Sequence, residues 1–427
     1  PQEKAARPPN FIVINIDDLG YADIGPYGST LHRTPHLDRL AAEGRKLTSF
    51  YAAPVCSPSR ASLMTGCLPK RVGIPSVLFP GNATGLHANE HTIAELLKGR
   101  GYATMIVGKW HLGDQPEFLP TRHGFDGYFG IPYSNDMGPA AEGARSDFGK
   151  PLPDPDKARG KGHPPIPLLR DEKVVERVRG EEQTTLVARY TEEAAKFVRA
   201  RAERPFFLYL AHTAVHFPLY PGKAFRGKSR NGLYGDWVEE VDWSVGQVLD
   251  AVRELKLSER TLVLFVSDNG GTPRAVNSPL RGHKASTLEG GMRVPAIVWW
   301  PGSVPAGTAT GEVTGMIDVL PTLVKLAGGA APSDRTLDGR DAWPVYSGVA
   351  GARSAHEFFP CFQGNALAAI RSGPWKLEIK SGNLYNLDSD VGESRNVAAE
   401  QGDVVKKLRE LAARIGSDLG DGVPGPG

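Results

Sequence analysis

The chain has 427 residues, enough for one large domain with a smaller companion. Its 50 Lys and Arg against 48 Asp and Glu leave a net charge of +2, which excludes a polycation that grips nucleic acid by charge and an acidic disordered tail. Hydrophobic residues at 40% suit a globular core, and the longest apolar runs, 11–16 and 296–300, fall far short of the roughly 20 residues of a membrane helix.

Residues 11–16 (Phe-Ile-Val-Ile-Asn-Ile) form an almost continuous apolar, β-branched run, the pattern of a strand buried on both faces. The run ends in Asp17-Asp18-Leu19-Gly20, where adjacent like charges repel unless a cation or a basic partner neutralises them. Next comes Cys56-Ser-Pro-Ser-Arg60, opening a predicted helix that leads into Leu63-Met-Thr-Gly66. A cysteine at a helix start beside Arg is expected to have a lowered thiol pKa. Only three residues separate Cys56 from Arg60, too few for the thiolate loop of a cysteine phosphatase, and the ordinary alternative is a buried structural cysteine. With Cys67 and Cys361 the chain has 3 cysteines, which cannot build a disulfide framework.

A helix is predicted over 92–98 and a strand over 102–107, running into Gly108-Lys-Trp-His-Leu-Gly113. Lys109 and His111 stand two apart in an extended segment and project to the same side. Residues 138–180, rich in Pro, Gly, Lys and Asp without periodicity, read as a long surface insertion beside the site. Helices at 184–202 and 236–255 alternate with strands at 205–211, 261–267 and 294–300. His216 follows the first of these strands, Asp268-Asn269 follows the second, and Lys284 lies in Arg281-Gly-His-Lys-Ala-Ser286. Strands alternating with helices predict an α/β fold, a mostly parallel sheet covered on both faces with its site beyond the carboxyl ends of the strands. After a Gly-, Ala- and Pro-rich connection at 328–351, short strand-like pieces at 367–371, 375–379 and 383–387 and an amphipathic helix at 404–415 predict a small antiparallel sheet with one helix. The division expected is a large domain at 1–335 and a small α+β subdomain at 352–427.

Four hard-oxygen side chains at two strand ends, Asp17, Asp18, Asp268 and Asn269, suit Ca²⁺ or Mg²⁺, although Asp and Asn also cap loops and helices without any ion. The supply of Arg60, Lys109, His111, His216 and Lys284 suits an anion with several oxygens, sulfate or phosphate.

Together these motifs resemble the type I sulfatases of the alkaline phosphatase superfamily, most closely the arylsulfatase A-like members. The Cys-x-Pro-x-Arg core at 56–60 carries the resemblance. It continues through Asn15-Ile-Asp-Asp18, Gly108-Lys-Trp-His-Leu-Gly113, Gly130-Ile-Pro-Tyr-Ser134, Val215-His-Phe-Pro218, Ser267-Asp-Asn-Gly270, Glu289-Gly-Gly-Met-Arg293, Asn383-Leu-Tyr-Asn-Leu387 and 393–396. The resemblance implies an alkaline-phosphatase-like sheet sandwiched by helices, and hydrolysis of aryl or carbohydrate sulfate esters. A phosphomonoester, phosphodiester or phosphonate hydrolase of the same superfamily, and a non-catalytic binder of sulfated glycans, are the alternatives.

By the same resemblance Cys56 is oxidised by a formylglycine-generating maturation enzyme to Cα-formylglycine, whose hydrate is the nucleophile. Asp17, Asp18, Asp268 and Asn269, with residue 56, are then ligands of Ca²⁺ or Mg²⁺. Arg60 holds residue 56 and the carboxylates, Lys109, Lys284, His216 and Ser134 contact the sulfate, and His111 hydrogen-bonds the diol. Asp268 is the expected proton acceptor, and whichever lysine donates a proton to the leaving alcohol is expected to have a depressed pKa beside the ion. Where the family often has Arg after Thr-Gly this chain has Cys67, with Lys70 and Arg71 as candidate replacements for that charge. Tyr133, Phe217, Tyr220 and Arg274 are candidates to line a sugar or aryl group. The expected partners are a small aryl sulfate or sulfated saccharide, with no nucleic acid and no membrane. Family habit implies a periplasmic or secreted location, the cytoplasm being the alternative.

Overall fold

The computed structural model describes residues 7–139 and 164–420. Its strands are β1 (Asn10–Ile16), β2 (Arg45–Leu47), β3 (Phe50–Tyr51), β4 (Ala103–Gly108), β5 (Gly127–Gly130), β6 (Ile166–Arg170), β7 (Lys173–Val178), β8 (Phe206–Ala211), β9 (Thr261–Ser267), β10 (Arg293–Val294), β11 (Ala296–Trp299), β12 (Thr308–Thr310) and β13 (Thr314–Gly315). They are followed by β14 (Phe359–Gln363), β15 (Ala366–Ser372), β16 (Trp375–Glu378) and β17 (Leu384–Asn386). Ten strands make the main sheet, in the order β12-β2-β11-β9-β1-β8-β4-β5-β6-β7, and β10, β3 and β13 form a short side sheet. The central neighbours β9, β1, β8, β4 and β5 all run parallel, while β11, β6 and β7 pair antiparallel towards the edges.

Alternation along the central strands explains the layering. Phe11 and Val13 of β1, Phe207 and Tyr209 of β8 and Leu262 and Leu264 of β9 join one buried cluster, with Ala61, Leu63 and Met64 of α2 (Cys56–Thr65 follows α1, Pro35–Glu43), Ile93 and Leu97 of α3 (Ile93–Lys98) and Leu320. Ile12, Ile14, Leu208, Leu210, Val263 and Phe265 point the other way, into a cluster with Leu37 and Leu40 of α1, Tyr190 and Ala194 of α4 (Leu186–Ala200), and Trp237, Val241 and Val245 of α5 (Gly232–Glu254). Each central strand is thus apolar on both faces because each face meets helices. This is the sandwiched, mostly parallel mixed sheet that the resemblance implies.

The tail strands β14 to β17 form a separate four-stranded antiparallel sheet; α6 (Glu289–Met292) precedes β10 in the large unit, and the segment from β13 to β14 holds α7 (Val319–Leu326) and α8 (Trp343–Tyr346). Ile370, Leu377 and Leu384 of this sheet bury against Leu408 and Leu411 of α9 (Gly402–Leu419). Two readings of the sequence are corrected here. The first tail strand, Phe-Pro-Cys-Phe-Gln, was not anticipated because it shows no polar alternation, and Pro360 disguises it. The segment 138–180 is not wholly irregular: its end folds as the β6–β7 hairpin at the sheet edge, and its residues 140–163 lie outside the described residues.

Within α5, Glu240 is buried with one backbone donor, the Gly222 N–H at 2.7 Å from Oε2. Burial raises its pKa from 4.5 to about 7, against the lowering effect of that hydrogen bond. The folded protein therefore holds this proton more tightly than the unfolded chain, so this group's contribution to stability is fully present below about pH 4.5 and is lost as the pH rises through about 7. Glu240→Gln is expected to remove this part of the slope, raising Tm at pH 8 relative to the parent more than at pH 4.5. Thermal melts of both chains across that range check it.

Candidate active site

The sequence-predicted residues converge because five adjacent parallel strands end at the same edge. Asp17-Asp18 follows β1, Asp268-Asn269 follows its neighbour β9, and Lys109 and His111 follow β4. The β5 chain leads to Ser134 and the β8 chain to His216. Register places Ile16 opposite Ser267, so the two acidic pairs start side by side. Glycine makes the close approach possible: a Cβ on Gly108 (φ +110°) would stand 1.8 Å from the Ala211 carbonyl oxygen, and one on Gly130 would stand 1.8 Å from that of Gly108.

Cys56 is the first residue of α2, a helix whose ten residues are all buried. Ser59 ties its approach by accepting from Ala53 N–H (2.8 Å) and donating to Ala53 O (3.0 Å), and Ser57 Oγ accepts from Leu78 N–H at 3.1 Å. One turn on, Arg60 lies fully buried and donates from Nε and Nη2 to Asp268 Oδ2 (2.9 and 2.8 Å) and from Nη1 to the Lys109 carbonyl (2.6 Å); Asp17 lies 3.7 Å away. This spacing is why Cys and Arg belong on one helix: the reacting position and its charge support are set by a single turn.

The acidic group is compact. Carboxylate oxygens of Asp17, Asp18 and Asp268 lie within 4.8 Å of one another, and so do Asp17, the Cys56 thiol and a ring nitrogen of His216. Asn269 Nδ2 donates to Asp18 Oδ1 at 2.8 Å. Among the described residues, Asp17 Oδ1 and Asn269 Oδ1 are buried acceptors without hydrogen-bond partners, a costly state that a hard cation relieves. Three carboxylates and an amide oxygen are the donor chemistry of Ca²⁺ or Mg²⁺, so the residues present fit such an ion.

Around this group, Lys109 Nζ donates to Asp17 Oδ2 (2.6 Å) and Ser134 Oγ (3.2 Å), and Lys284 Nζ stands 2.6 and 2.9 Å from the two Asp18 oxygens. Ser134 Oγ is also 3.4 Å from His216 Nε2, which lies 3.7 Å from Asp18. His216 Nδ1 faces two acceptors, Phe217 O (2.5 Å) and Asn135 Oδ1 (3.1 Å), which places a proton on Nδ1 and leaves Nε2, on the Asp18 side, as the position for a second. His111 Nε2 faces Leu78 O at 3.0 Å, leaving a buried Nδ1 lone pair without a partner. Asn135 and Gln183 support this arrangement and were not foreseen. Asn135 Nδ2 bonds Gln183 Oε1 and Pro218 O, and its position directly after Ser134 was the available signal.

The electrostatics correct one expectation. Burial pushes the Cys56 thiol up to about 11, with Asp17 and Asp268 adding to it and Lys109 and Lys284 opposing, so the thiol is not activated by its helix position. Burial would lower the ammonium pKa values of Lys109 and Lys284, but Asp17 on the first and Asp18 on the second raise them, so the expected depression is not a property of these side chains alone. Lys70 donates to Gly420 O at 2.5 Å, and Arg71 pairs with Asp338 and Asp418, fastening the C-terminal helix. Cys67 is buried, its Sγ 3.5 Å from Thr336 O. Burial raises Asp268 to about 6, with the Asp17 charge adding to it against Arg60 and Lys109. Asp17 sits well below the usual carboxylate range although burial opposes this, because Lys109, His216 and Arg60 outweigh it. His111 is driven well below the usual imidazole range by burial and by the Lys109 and Arg60 charges, so it is a neutral base. Of the residues expected to line a substrate, Phe217 lies under the Arg274 guanidinium at 5.2 Å.

Comparison with known proteins follows the same lines. The family model described as Sulfatase matches residues 9–330. The chain is 41% identical to N-acetylgalactosamine-6-sulfatase of Canis lupus familiaris, over 87% of this chain and 72% of that one. It is 38% identical to arylsulfatase A of Homo sapiens, over 95% and 87% respectively. Among solved structures, the PsFucS1 sulfatase from Pseudoalteromonas sp. superposes with a TM-score of 0.85 at 27% identity, over 96% of this chain and 91% of that one.

Proposed function

We propose, on the premise that this chain belongs to the sulfatase family and is a sulfuric ester hydrolase, that it cleaves saccharide or aryl sulfates with residue 56 as a formylglycine diol beside a divalent cation. One observation carries the reading: the Cys56 sulfur stands within 4.8 Å of both an Asp17 carboxylate oxygen and a His216 ring nitrogen, where a nucleophile and an anion site adjoin. Burial of the thiol agrees with it, since it pushes Cys56 up to about 11 and away from the thiolate form that attacks.

Asp17, Asp18, Asp268 and Asn269 would hold Ca²⁺ or Mg²⁺. When bound, the cation polarises a sulfate oxygen and favours the ionised form of the diol, whose second hydroxyl lets sulfate leave by elimination. Arg60 fixes the Asp268 carboxylate, which accepts the proton of the attacking hydroxyl. Lys109, Ser134, His216 and Lys284 supply converging donors for the sulfate oxygens. Lys284 or His216 returns a proton to the departing alcohol oxygen. The unpaired Nδ1 of His111 takes the proton of the second hydroxyl when sulfate is expelled. A saccharide substrate is favoured because the canine relative is named for an amino-sugar sulfate.

Mass spectrometry of the peptide containing residue 56 tests the nucleophile: conversion of thiol to aldehyde lowers the mass by about 18 Da, whereas sulfur oxidation raises it. Parallel assays on nitrophenyl sulfate, amino-sugar sulfates and the matching phosphates test the reaction, with turnover confined to phosphates overturning it and binding without turnover pointing to a glycan binder. For the cation, Ca²⁺ at a hundredfold excess over its Kd is expected to add about 2.7 kcal/mol of stability. Asn269→Ala is expected to weaken that shift in Tm, a readout independent of turnover.

A further inference from the structure

Lys284 differs from the other candidates in its support. It belongs to neither a strand end nor a helix but to the irregular segment between β9 and α6, where Arg281, His283 and Ala285 are exposed and Gly282 and Ala285 have positive φ. Two backbone bonds seat its middle, Lys284 N–H to Gly271 O (3.0 Å) and Ala285 N–H to Pro54 O (2.8 Å). Side-chain packing contributes little to an exposed segment, so its placement depends on what holds its ends.

Both ends meet one residue of the tail. Arg281 Nη1 donates to the Glu393 carbonyl at 2.8 Å, and the Glu289 N–H donates to Glu393 Oε2 at 2.7 Å. Glu393 is fully buried and adopts a positive φ of 53°. Its Oε1 lies 2.8 Å from the buried ammonium of Lys376, which also donates to Glu289 Oε1 at 2.9 Å. Glu289 Oε2 in turn accepts from Tyr51 at 2.6 Å, and Gln363 Nε2 donates to the Ala285 carbonyl at 2.9 Å. Three buried ions cost several kcal/mol each in desolvation, and an apolar junction between the two units would avoid that cost. None of the three touches the acidic group or its lysines. What they share is the loop that presents Lys284.

We infer that Glu393 is a positioning residue for catalysis: with Lys376 it clasps both ends of the 281–289 loop and so fixes Lys284 against Asp18, which makes the C-terminal sheet part of the apparatus that protonates the leaving group. The inference rests on the proposed acid role of Lys284. Its test uses the full chain with Glu393→Ala, and with Arg281→Met as a milder variant that loosens the exposed end. Hydrogen exchange of residues 281–290 is expected to quicken on the order of tenfold while that of residues 56–66 stays unchanged. Turnover of amino-sugar sulfates, which have poor leaving groups, is expected to fall on the order of 10- to 100-fold, and that of nitrophenyl sulfate far less. Lys284→Ala is expected to show the same dependence on the leaving group, and adding Glu393→Ala to it to cost nothing further. Unchanged exchange at 281–290 in both variants, a loss equal for all leaving groups, or additive losses in the double variant would each overturn the inference. A parent chain that turned over no sulfate ester would instead remove the functional reading, while the exchange comparison would still decide the clasp.

Discussion

Cys56→Ser is expected to release at most one alcohol per chain and then stop, with the sulfo group retained on residue 56. A serine in this position keeps one hydroxyl beside the carboxylates and lysines, so it can attack sulfur once. It lacks the second hydroxyl that converts release of sulfate into elimination at carbon, and its ester waits for water to attack sulfur directly. Steady-state turnover is expected to fall on the order of 10⁵-fold, the scale on which removal of a nucleophile acts elsewhere. Cys56→Ala is expected to show no burst. Unconverted Cys56 is expected to behave like Ala, since its thiol is held at about 11 by burial. Burst amplitude against enzyme concentration, with the mass of the quenched chain, checks all three. Sustained turnover by the Ser variant within tenfold of the parent would refute the diol mechanism.

The second large effect concerns Arg60. Its guanidinium has no exposure to solvent and carries the balance for Asp268 while lying 3.7 Å from Asp17. Arg60→Met removes the cation and leaves buried carboxylates facing each other, a change that costs about 3–5 kcal/mol. Tm is expected to fall by roughly 3–6 °C. Arg60→Lys restores a charge but not the fork that reaches Asp268 with two donors and the Lys109 carbonyl with a third. It is expected to recover part of the stability and little of the activity. Added Ca²⁺ is expected to raise the Tm of the Met variant by more than that of the parent, because the uncompensated carboxylates gain most from a cation. Equal Ca²⁺ shifts in the two chains would show that Arg60 does not govern the charge on this group.

Much of this arrangement is legible in the residues because strands buried on both faces write themselves as apolar runs. Once 11–16 and 261–267 are read as neighbours in one parallel sheet, Asp17-Asp18 and Asp268-Asn269 must share an edge. The hairpin at β6 and β7 escaped because Pro167 interrupts its first strand and Val174 and Val175 of its second are exposed, so no buried face imposes a period of two. Strands of two or three residues, such as Phe50–Tyr51, are too short to show a period at all. The direction of the thiol pKa shift is not legible in the sequence for a different reason. A motif tells which charges are present, but the sign of a shift depends on which carboxylate each group meets and how completely water is excluded. Likewise Glu289 and Glu393 both lie in recognisable motifs, yet their pairing through Lys376 joins segments about a hundred residues apart, and only the folded chain brings them together.

The burial of α2 has a consequence for how the protein is made. Residue 56 opens a helix with no side turned to solvent, and its own side chain is buried. An enzyme large enough to act on that thiol needs the surrounding stretch pulled out and extended, which the finished fold does not offer. If residue 56 is converted as proposed, the conversion belongs to the interval between synthesis and folding, and a molecule that folded first would keep its thiol for as long as it stayed folded.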